Sequence, residues 1–343
     1  MARIGIIGAG NVGLYIGAFL HVAGCQVSWV GRQWVQDEIE EAGALTVSDF
    51  YNHTFTIPAD EMQILTDVAD LVHADVNIDF LFLTVKAHAT EKIMESIKHL
   101  DGKVVVVTLQ NGIHNAEIIR KHMPNTEVIT GMVPTNIVHL PGGHFHQATL
   151  GPIQLEDGEQ SVTLAQLFLE AGFATQLTTD IRGILYGKLV INLMNALNAL
   201  SGLPLRAQLS DPAHRKVLAL CIEEALACYQ AASITPLSFF KVPLWMVPHV
   251  LRLPNWLFFQ IASTFLGIDE RAMSSMHDDL LLKRPTEVDY LNGEIIKIGE
   301  EHSVNTPVNK AVVKLIKDIE AQPPVHPPSL SGEELLAIVQ KRS

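Results

Sequence analysis

The sequence predicts an α/β protein in which an N-terminal, doubly wound parallel sheet is followed by an all-α C-terminal domain. Short apolar runs alternate with helical patterns through the first half of the chain, and this alternation is typical of βαβ units. A glycine-rich turn follows the first of these runs. Beyond about residue 180 the pattern changes to long helices, so we divide the 343 residues into domains 1–179 and 180–343.

The predicted elements follow from apolar runs and from helical periodicity. Residues 144–150 alternate weakly, which predicts an edge strand or a hairpin, and the Pro-rich segment 322–328 is expected to be extended before a last short helix. The predicted strands are residues 4–7, 27–30, 80–85, 104–109 and 128–129. The predicted helices are residues 89–99, 115–122, 181–201, 212–232, part of 272–282, 286–302 and 307–321.

The composition limits which binding partners and which cellular compartment we expect for this protein. The net charge is −13 and Lys and Arg do not cluster, which argues against nucleic acid and anionic membranes as partners. Three cysteines are too few and too scattered for a disulfide framework, and we expect Cys221 and Cys228 to be buried thiols. The uncharged stretches are shorter than the ~20 residues of a membrane span. We therefore expect a cytoplasmic protein, with a homodimer left open.

The turn after the first predicted strand has the pattern Gly-x-Gly-x-x-Gly. Gly8 permits a tight turn, Gly10 lets the backbone approach a pyrophosphate, and Gly13 lets helix and strand pack closely. The helix N-terminus adds free N–H groups and partial positive charge. A strand before and a helix after complete the context that a dinucleotide-binding Rossmann domain requires. The predicted cofactor contacts here are Gly8, Ala9, Gly10, Asn11, Val12 and Gly13.

The end of the second strand indicates which dinucleotide is bound. NAD enzymes usually carry an acidic residue there for the ribose hydroxyls. Here the strand is followed by Gly31 and Arg32, and the first acidic residue is Asp37. A guanidinium in this place suits a 2′-phosphate, so we predict NADP(H). The alternative is a solvated arginine without a ligand.

Two further polar residues follow predicted strands. Lys86 comes after the strand at residues 80–85, and Asn111 comes after the strand at residues 104–109. Because the carboxyl ends of parallel strands face the ligand crevice, Lys86 is a candidate for the cofactor. Asn111 is either a simple turn residue before Gly112 or a contact to nicotinamide or substrate.

In the helical half, Lys188 lies among apolar neighbours, with Asn192 and Asn195 on the same helix face at i+4 and i+7. One interpretation is a lysine whose ammonium snorkels to solvent from a buried helix. The other is a polar stripe that lines a substrate site. Reduction of a ketone builds an alkoxide, and a partly desolvated lysine can supply both a proton and a positive charge to it.

A second stretch of the helical half contains several polar residues before and after Pro285. We expect Pro285 to end one helix and begin the next, which puts Glu287 in a first turn. An acid there is favourable at a helix start, so Glu287 by itself needs no functional role.

These motifs together resemble the ketopantoate reductase, or 2-dehydropantoate 2-reductase, family over nearly the whole chain. The resemblance implies NADPH-dependent reduction of a 2-oxo acid to a 2-hydroxy acid in pantothenate synthesis. It implies that Lys188 is the general acid and that Glu287 lies near it and the nicotinamide ribose. The motifs that carry it are Gly8 to Gly13, residues 84–87, residues 110–112, residues 187–189 with Asn192, residues 274–276 and residues 284–293.

The resemblance also implies substrate and cofactor contacts. The residues expected to contact the substrate are Asn111, Asn192 and Ser275, with Asn195 beside them. Those expected to bind NADPH are Arg32 and Lys86. Two positions depart from the family pattern, because Ala196 and Ala272 stand where it often has asparagine.

The departures leave alternatives to pantoate chemistry. The segment 234–272 is long and carries Trp245, Trp256, Phe258 and Phe259, which suits either a bulkier, less polar 2-oxo acid or a core or dimer contact. A non-catalytic NADP(H)-binding sensor is a third hypothesis, which the joint presence of Lys188, Glu287 and Asn111 argues against. His144 and His146 suggest a metal site only weakly, and we expect them at the surface and no metal.

Overall fold

The computed structural model describes residues 1–72, 77–238, 242–262, 272–322 and 328–341. The chain forms two compact units, Met1–Ile181 and Arg182–Ser343. The first is α/β and the second is helical, which confirms the predicted fold class. Residues 323–327, within the segment expected to be extended, lie outside the described residues.

The first unit is built on an eight-stranded sheet. Numbered along the chain and listed in spatial order, its strands are β12 (Thr175–Thr178), β11 (Ile153–Glu156), β8 (Val128–Met132), β7 (Val105–Thr108), β6 (Phe80–Leu83), β1 (Arg3–Ile7), β2 (Gln26–Val30) and β5 (Gln63–Leu65). Neighbouring strands are parallel, except β8 with β11. The spatial order from β5 to β8 reverses direction at β1, as in a doubly wound Rossmann sheet.

Successive residues of the central strands point to opposite faces of this sheet, and each face has its own buried core. On β1, Ile6 belongs to one core with Trp29 and Phe82, whereas Ile7 belongs to the other with Leu83. The helices of this unit are α1 (Asn11–Val22), α2 (Gln33–Ala42), α3 (Val68–Leu71), α4 (Thr90–Ile97), α5 (Asn115–His122) and α6 (Glu159–Glu170).

A second, four-stranded sheet in this unit was not predicted. Its order is β4 (Thr54–Pro58), β3 (Ala44–Ser48), β10 (His144–Gln147) and β9 (Ile137–Leu140). Of the two alternatives predicted for residues 144–150, the hairpin is confirmed, because β10 pairs antiparallel with β9 across a short turn, whereas the edge strand is wrong, because β10 also pairs with β3 on its other side. Its partner β3 lies about a hundred residues earlier, and alternation along one strand cannot reveal such a partner.

The surface position expected for the two histidines of β10 was also wrong for one of them. His146 is buried, and the buried Ser48 hydroxyl lies 2.8 Å from a ring nitrogen of each of His144 and His146. The described residues contain no group of three or more His, Cys, Asp or Glu side chains that could hold a metal ion.

The second unit consists of helices. Within the residues that the structure describes, no helix is both long enough and apolar enough to cross a membrane. Cys221 and Cys228 are buried free thiols, as predicted. The helices are α7 (Ile181–Ser201), α8 (Leu205–Ser210), α9 (Pro212–Ala231), α10 (Val247–Leu251), α11 (Asn255–Ala262), α12 (Ser275–Leu281), α13 (Asn292–Glu301), α14 (Pro307–Ala321) and α15 (Gly332–Gln340).

The helix predicted over residues 286–302 begins later than expected. A short 3-10 turn at Val288–Tyr290 comes first, and α13 starts only at Asn292. Leu291 has φ −112° and ψ −92°, which is not helical, so the turn and α13 cannot form one continuous helix.

Candidate active site

The glycine-rich turn of the first unit is shaped by its own backbone. Gly8 has φ +114°, and a Cβ there would lie 2.6 Å from the backbone nitrogen of Val85. A Cβ on Gly13 would collide with the carbonyl oxygen of Gly8 and lie 2.6 Å from Thr84 Oγ1. That Thr84 hydroxyl donates to the Gly8 carbonyl at 2.7 Å. Gly8 and Gly13 are therefore required by the fold itself.

Gly10 differs from these two glycines. A Cβ built on it would meet no protein atom within 4 Å, and its φ of −99° suits any residue. The fold therefore does not demand glycine here. Gly10 precedes α1 without a side-chain cap, and the first N–H groups of a helix have no intrahelical acceptor. An exposed backbone beside these amides fits the close approach of a pyrophosphate.

The other residues of the turn are held in place around this site. Ala9 is buried, and its N–H donates to the carbonyl oxygen of Val30 at 2.9 Å. Asn11 donates through Nδ2 to the carbonyl of Ile137 in the second sheet at 2.8 Å. Because its side chain is used in this bond, Asn11 is best suited to offer a ligand its backbone N–H. Val12 packs partly buried against the core.

Arg32 lies directly after β2 and precedes the first residue of α2. Its side chain is exposed, and within the described ranges it has no hydrogen bond or ion pair. The nearby acid Asp37 accepts a hydrogen bond from Gln33 at 2.9 Å. The guanidinium is thus available to an anionic ligand at the carboxyl end of β2.

Asn111 is held by a buried network of hydrogen bonds that was not predicted. Gln110 donates through Nε2 to the hydroxyl of Thr90 at 2.8 Å, and Thr90 donates to Asn115 Oδ1 at 2.8 Å. Asn115 in turn donates to the carbonyl oxygen of Asn111 at 2.8 Å. The loop after β7 is thereby joined to the starts of α4 and α5, so Asn111 is part of an ordered turn rather than of a loose one.

The same network reaches the loop after β6. Gln110 Nε2 also donates to the carbonyl of Val85 at 3.0 Å, and Lys86 follows immediately as the residue before a 3-10 turn. Lys86 is partly buried. Hence one glutamine orders the loops that carry Lys86 and Asn111, at adjacent strands of the sheet. Its sequence signal was an amide directly after a buried strand.

The chain neighbours of Lys188 in the second unit are buried, although Lys188 itself is partly exposed. Tyr186 and Leu189 are buried, and a Cβ on Gly187 would collide with the carbonyl of Leu237, so glycine is needed for this close backbone packing. Burial lowers the pKa of Lys188 from its usual 10.5 to about 8, while the Glu287 carboxylate acts in the opposite direction. A lysine with such a pKa can give up its proton near neutral pH.

The polar stripe predicted on α7 is present on its accessible side. Lys188, Asn192 and Asn195 are each partly exposed, whereas Ala196 is fully buried. Asn195 therefore shares the accessible face with Lys188, and Ala196 belongs to the core. Ala272, the other departure from the family pattern, is also buried, and its carbonyl accepts from the N–H of Leu205.

Ser275 begins α12, and two residues that were not predicted hold this helix start against α7. Ser274 N donates to Asn198 Oδ1 at 2.9 Å, and Ser274 Oγ donates to the carbonyl of Asn195 at 3.1 Å. Asn198 is fully buried. The structure thus brings Ser275, which is partly buried, to the end of α7 that carries Asn195.

Glu287 is buried with only 3% of its surface exposed, and it acts electrostatically on Lys188. The expectation that it lies in a first helical turn was wrong. It precedes the 3-10 turn, and its carbonyl accepts from the N–H groups of Tyr290 and Leu291 at 2.9 and 3.1 Å. A buried acid beside a lysine has a larger electrostatic effect than one at an exposed helix start.

The aromatic segment divides into buried and exposed parts. Phe258 is buried under the guanidinium of Arg215, which lies 4.5 Å from the ring centroid. Arg215 is itself buried and donates to the carbonyls of Leu251 and Leu253. Trp245 and Trp256 are exposed. Residues 239–241 and 263–271 of this segment lie outside the described residues.

Known families match both units of this chain. The model described as "Ketopantoate reductase PanE/ApbA" matches residues 4–160, and "Ketopantoate reductase PanE/ApbA C terminal" matches residues 180–320. The chain belongs to the ketopantoate reductase family. Membership confirms the resemblance and the prediction of an oxidoreductase, and the family uses a nicotinamide cofactor.

Individual relatives agree with this assignment. The 2-dehydropantoate 2-reductase of Vibrio cholerae is 26% identical, over 93% of this chain and 98% of its own length. That of Pyrobaculum aerophilum is 32% identical, over 71% of this chain and 78% of its own. A crystal structure of a ketopantoate reductase from Ralstonia eutropha is 26% identical, with a TM-score of 0.76 over 93% of this chain and 99% of that one.

Proposed function

We propose that this protein reduces 2-dehydropantoate to pantoate with NADPH, and that Lys188 is the general acid. The observation that carries the proposal is the desolvated Lys188 beside the buried Glu287, in a chain that belongs to the ketopantoate reductase family. As part of this proposal we infer that the enzyme is cytoplasmic. A homodimer remains a prediction.

The first unit binds and orients the cofactor in this proposal. The turn from Gly8 to Gly13 binds the pyrophosphate, Arg32 binds the 2′-phosphate, and Lys86 and Asn111 contact the cofactor beyond it. NADPH, when bound, supplies the hydride. The exposed guanidinium of Arg32 and the absence of an acid directly after β2 support NADPH rather than NADH.

The second unit supplies the proton and contacts the substrate. As the carbonyl carbon of the 2-oxo acid accepts hydride, its oxygen gains negative charge. The Lys188 ammonium stabilises that charge and donates a proton to the oxygen, which leaves a neutral amine and a hydroxyl group. Glu287 favours the charged form of Lys188 before transfer. Asn192, Asn195 and Ser275 offer hydrogen bonds to the substrate carboxylate and hydroxyl groups.

The substrate assignment rests on the accessible polar face of α7. Ala196 and Ala272 first favoured a bulkier, less polar 2-oxo acid, but both are buried in the core. Their small size therefore does not remove an amide from the accessible face, where Asn195 stands instead. The two alanines therefore give no support to the bulkier, less polar class of 2-oxo acid.

A steady-state assay tests the proposal. The purified chain is mixed with NADPH or NADH and with 2-dehydropantoate, pyruvate, 2-oxoisovalerate or phenylglyoxylate, and oxidation of the cofactor is followed at 340 nm. We expect the highest kcat/KM with NADPH and 2-dehydropantoate. A higher value with phenylglyoxylate would replace the substrate assignment by the bulkier class. No turnover of any 2-oxo acid, together with tight NADPH binding, would favour the sensor hypothesis.

A further inference from the structure

The segment that carries Glu287 is held from α14 on both of its sides. On one side, the N–H of Thr286 donates to Glu320 Oε1 at 2.8 Å. On the other, Lys317 Nζ lies 2.6 Å from Asp289 Oδ2. Lys317 and Glu320 are also paired with each other at 3.0 Å, one helical turn apart on α14. Glu287 thus lies between two anchored neighbours.

Local hydrogen bonds transmit the position of Thr286 to Glu287. The Thr286 hydroxyl accepts from the N–H of Val288 at 3.3 Å, and the Glu287 carbonyl accepts from Tyr290 and Leu291. Thr286 and Glu287 are both buried. The bond to Glu320 orients the peptide plane between Pro285 and Thr286, and the bond between the Thr286 hydroxyl and the Val288 N–H spans Glu287, so the two together limit the direction in which the Glu287 side chain leaves the chain.

The Glu320 carboxylate is suited to this task. Burial alone would raise the pKa of Glu320, but hydrogen bonds from Thr286 and Lys317 outweigh it and hold the pKa below its usual range. Glu320 is therefore ionised at neutral pH, and a charged acceptor makes a stronger hydrogen bond to an N–H than a neutral one. The pair of Lys317 with Asp289 is more exposed, and exposed pairs contribute little to stability.

We propose that Glu320 is a positioning residue, which holds Glu287 toward Lys188 by accepting the Thr286 N–H. Glu320 acts through the backbone of the segment and not by contact with substrate or cofactor. Two sets of charged groups influence the charge of Lys188. Glu287 acts on Lys188 directly, and Asp289, Lys317 and Glu320 interact with one another around the segment that carries Glu287. The consequence for the enzyme rests on the proposed function of Lys188 as the acid.

Titration of Lys188 itself tests this proposal without relying on activity. The full chain is labelled with trace acetic anhydride between pH 6 and 11, and acetylation of the Lys188 peptide is measured by mass spectrometry. The reagent attacks the neutral amine, so the midpoint of the rate against pH reports the pKa of Lys188. We expect a midpoint near pH 8 for the wild type, and a lower one for Glu287→Gln, since that variant loses the charge that favours the ammonium.

Variants of Glu320 separate positioning from simple charge. Glu320→Ala loses the acceptor of the Thr286 N–H, and we expect the labelling midpoint of Lys188 in this variant to fall toward the midpoint in Glu287→Gln. Glu320→Gln keeps an oxygen for the Thr286 N–H and should stay near the wild type. Glu320→Asp keeps the charge but is one methylene shorter, so it should behave like Glu320→Ala. Asp318→Ala, which removes the exposed partner of Lys314 on the same helix, is the matched control and should shift nothing.

The outcomes are distinct. An unchanged midpoint in Glu320→Ala and Glu320→Asp, with a lowered one in Glu287→Gln, overturns the proposal. So does an equal shift in Glu320→Gln and Glu320→Ala, which would show a charge effect instead. A circular dichroism melt identifies a variant that fails to fold, in which case the other two Glu320 variants decide.

The activity profile then distinguishes this proposal from the proposed function. The basic limb of kcat/KM against pH should move with the labelling midpoint of each variant. If the labelling midpoint of Lys188 shifts as expected but the basic limb of kcat/KM does not shift with it, Glu320 is a positioning residue and Lys188 is not the general acid.

Discussion

The candidate sites of the two units are built by different physical means. In the first, the candidate cofactor site is made mostly of backbone, in the glycine-rich turn and the open first turn of α1, together with an exposed arginine side chain. In the second, the candidate catalytic site is made of side chains whose charges are altered by burial, with Lys188 next to Glu287. Binding an anionic dinucleotide needs shape and hydrogen-bond donors, whereas proton transfer needs a pKa near the working pH. The two tasks should therefore respond to different substitutions.

The largest effect is expected from Lys188→Ala. It should lower both kcat and kcat/KM by about 100-fold or more, the usual scale for the loss of a general acid. The NADPH Kd, measured by fluorescence titration, should stay nearly unchanged, because the residues predicted to bind the cofactor belong to the first unit. Lys314→Ala, which removes an exposed lysine of α14, is the control. A folded Lys188→Ala protein with near wild-type turnover would contradict the division of tasks.

Arg32→Ala is the converse experiment in the first unit. The variant should weaken NADPH binding by about 10- to 150-fold, because one charge-assisted hydrogen bond contributes roughly 1.5–3 kcal/mol. NADH binding should not change, since that cofactor lacks the 2′-phosphate. Titrations of the wild type and the variant with both cofactors decide the matter. Equal affinity of the wild-type protein for NADPH and NADH would refute the assignment of Arg32.

Two glycines of the same turn sharpen the comparison between fold and ligand. Gly10→Ala has open space around its Cβ, so it should keep the wild-type Tm but lose about tenfold in NADPH affinity, or about 1.4 kcal/mol. Gly13→Ala collides with the Gly8 carbonyl and should lower the free energy of unfolding by about 1–3 kcal/mol. Thermal melts with and without NADPH measure both. Loss of stability in Gly10→Ala would mean that its glycine serves the fold.

The smallest expected effect is a displacement along the pH axis. With the Lys188 pKa at about 8, kcat/KM for reduction should be level below that pH and fall above it, as the acid loses its proton. Removal of a negative neighbour lowers the pKa of an ammonium group, so Glu287→Gln should move this fall to lower pH. Rates from pH 6 to 10 in buffers of constant ionic strength test the direction. A fall that moves to higher pH would mean that Glu287 does not favour the charged form.

Local motifs were predictable from the sequence, whereas long-range partners were not. The strand, glycine turn and helix at the start of the chain are contiguous, and so is the stripe of Lys188, Asn192 and Asn195 on one helix. No local pattern indicates a role for Glu320 or Asn198. Their partners lie 34 residues away at Thr286 and 76 residues away at Ser274, and no local period relates such pairs.

The errors have the same origin. The weak alternation at residues 144–150 predicted an edge strand or a hairpin, and β10 does form a hairpin with β9, but it is not an edge because it gains a parallel partner from β3. The helix start at Pro285 followed a sound local rule, but the Glu287 carbonyl forms a short turn, and buried Asn292, bonded to Asn309, begins α13. In both places a tertiary contact overrode a local preference.

The sequence by itself therefore determined the α/β class, the dinucleotide turn, the arginine after β2 and the polar face of α7. Each of these depends on spacing within one element and on the geometry of neighbouring peptides. Only the tertiary structure decided that Lys188 is desolvated and that Glu287 is buried beside it. Desolvation and charge proximity depend on every chain segment packed around a group, so no single stretch of sequence contains them.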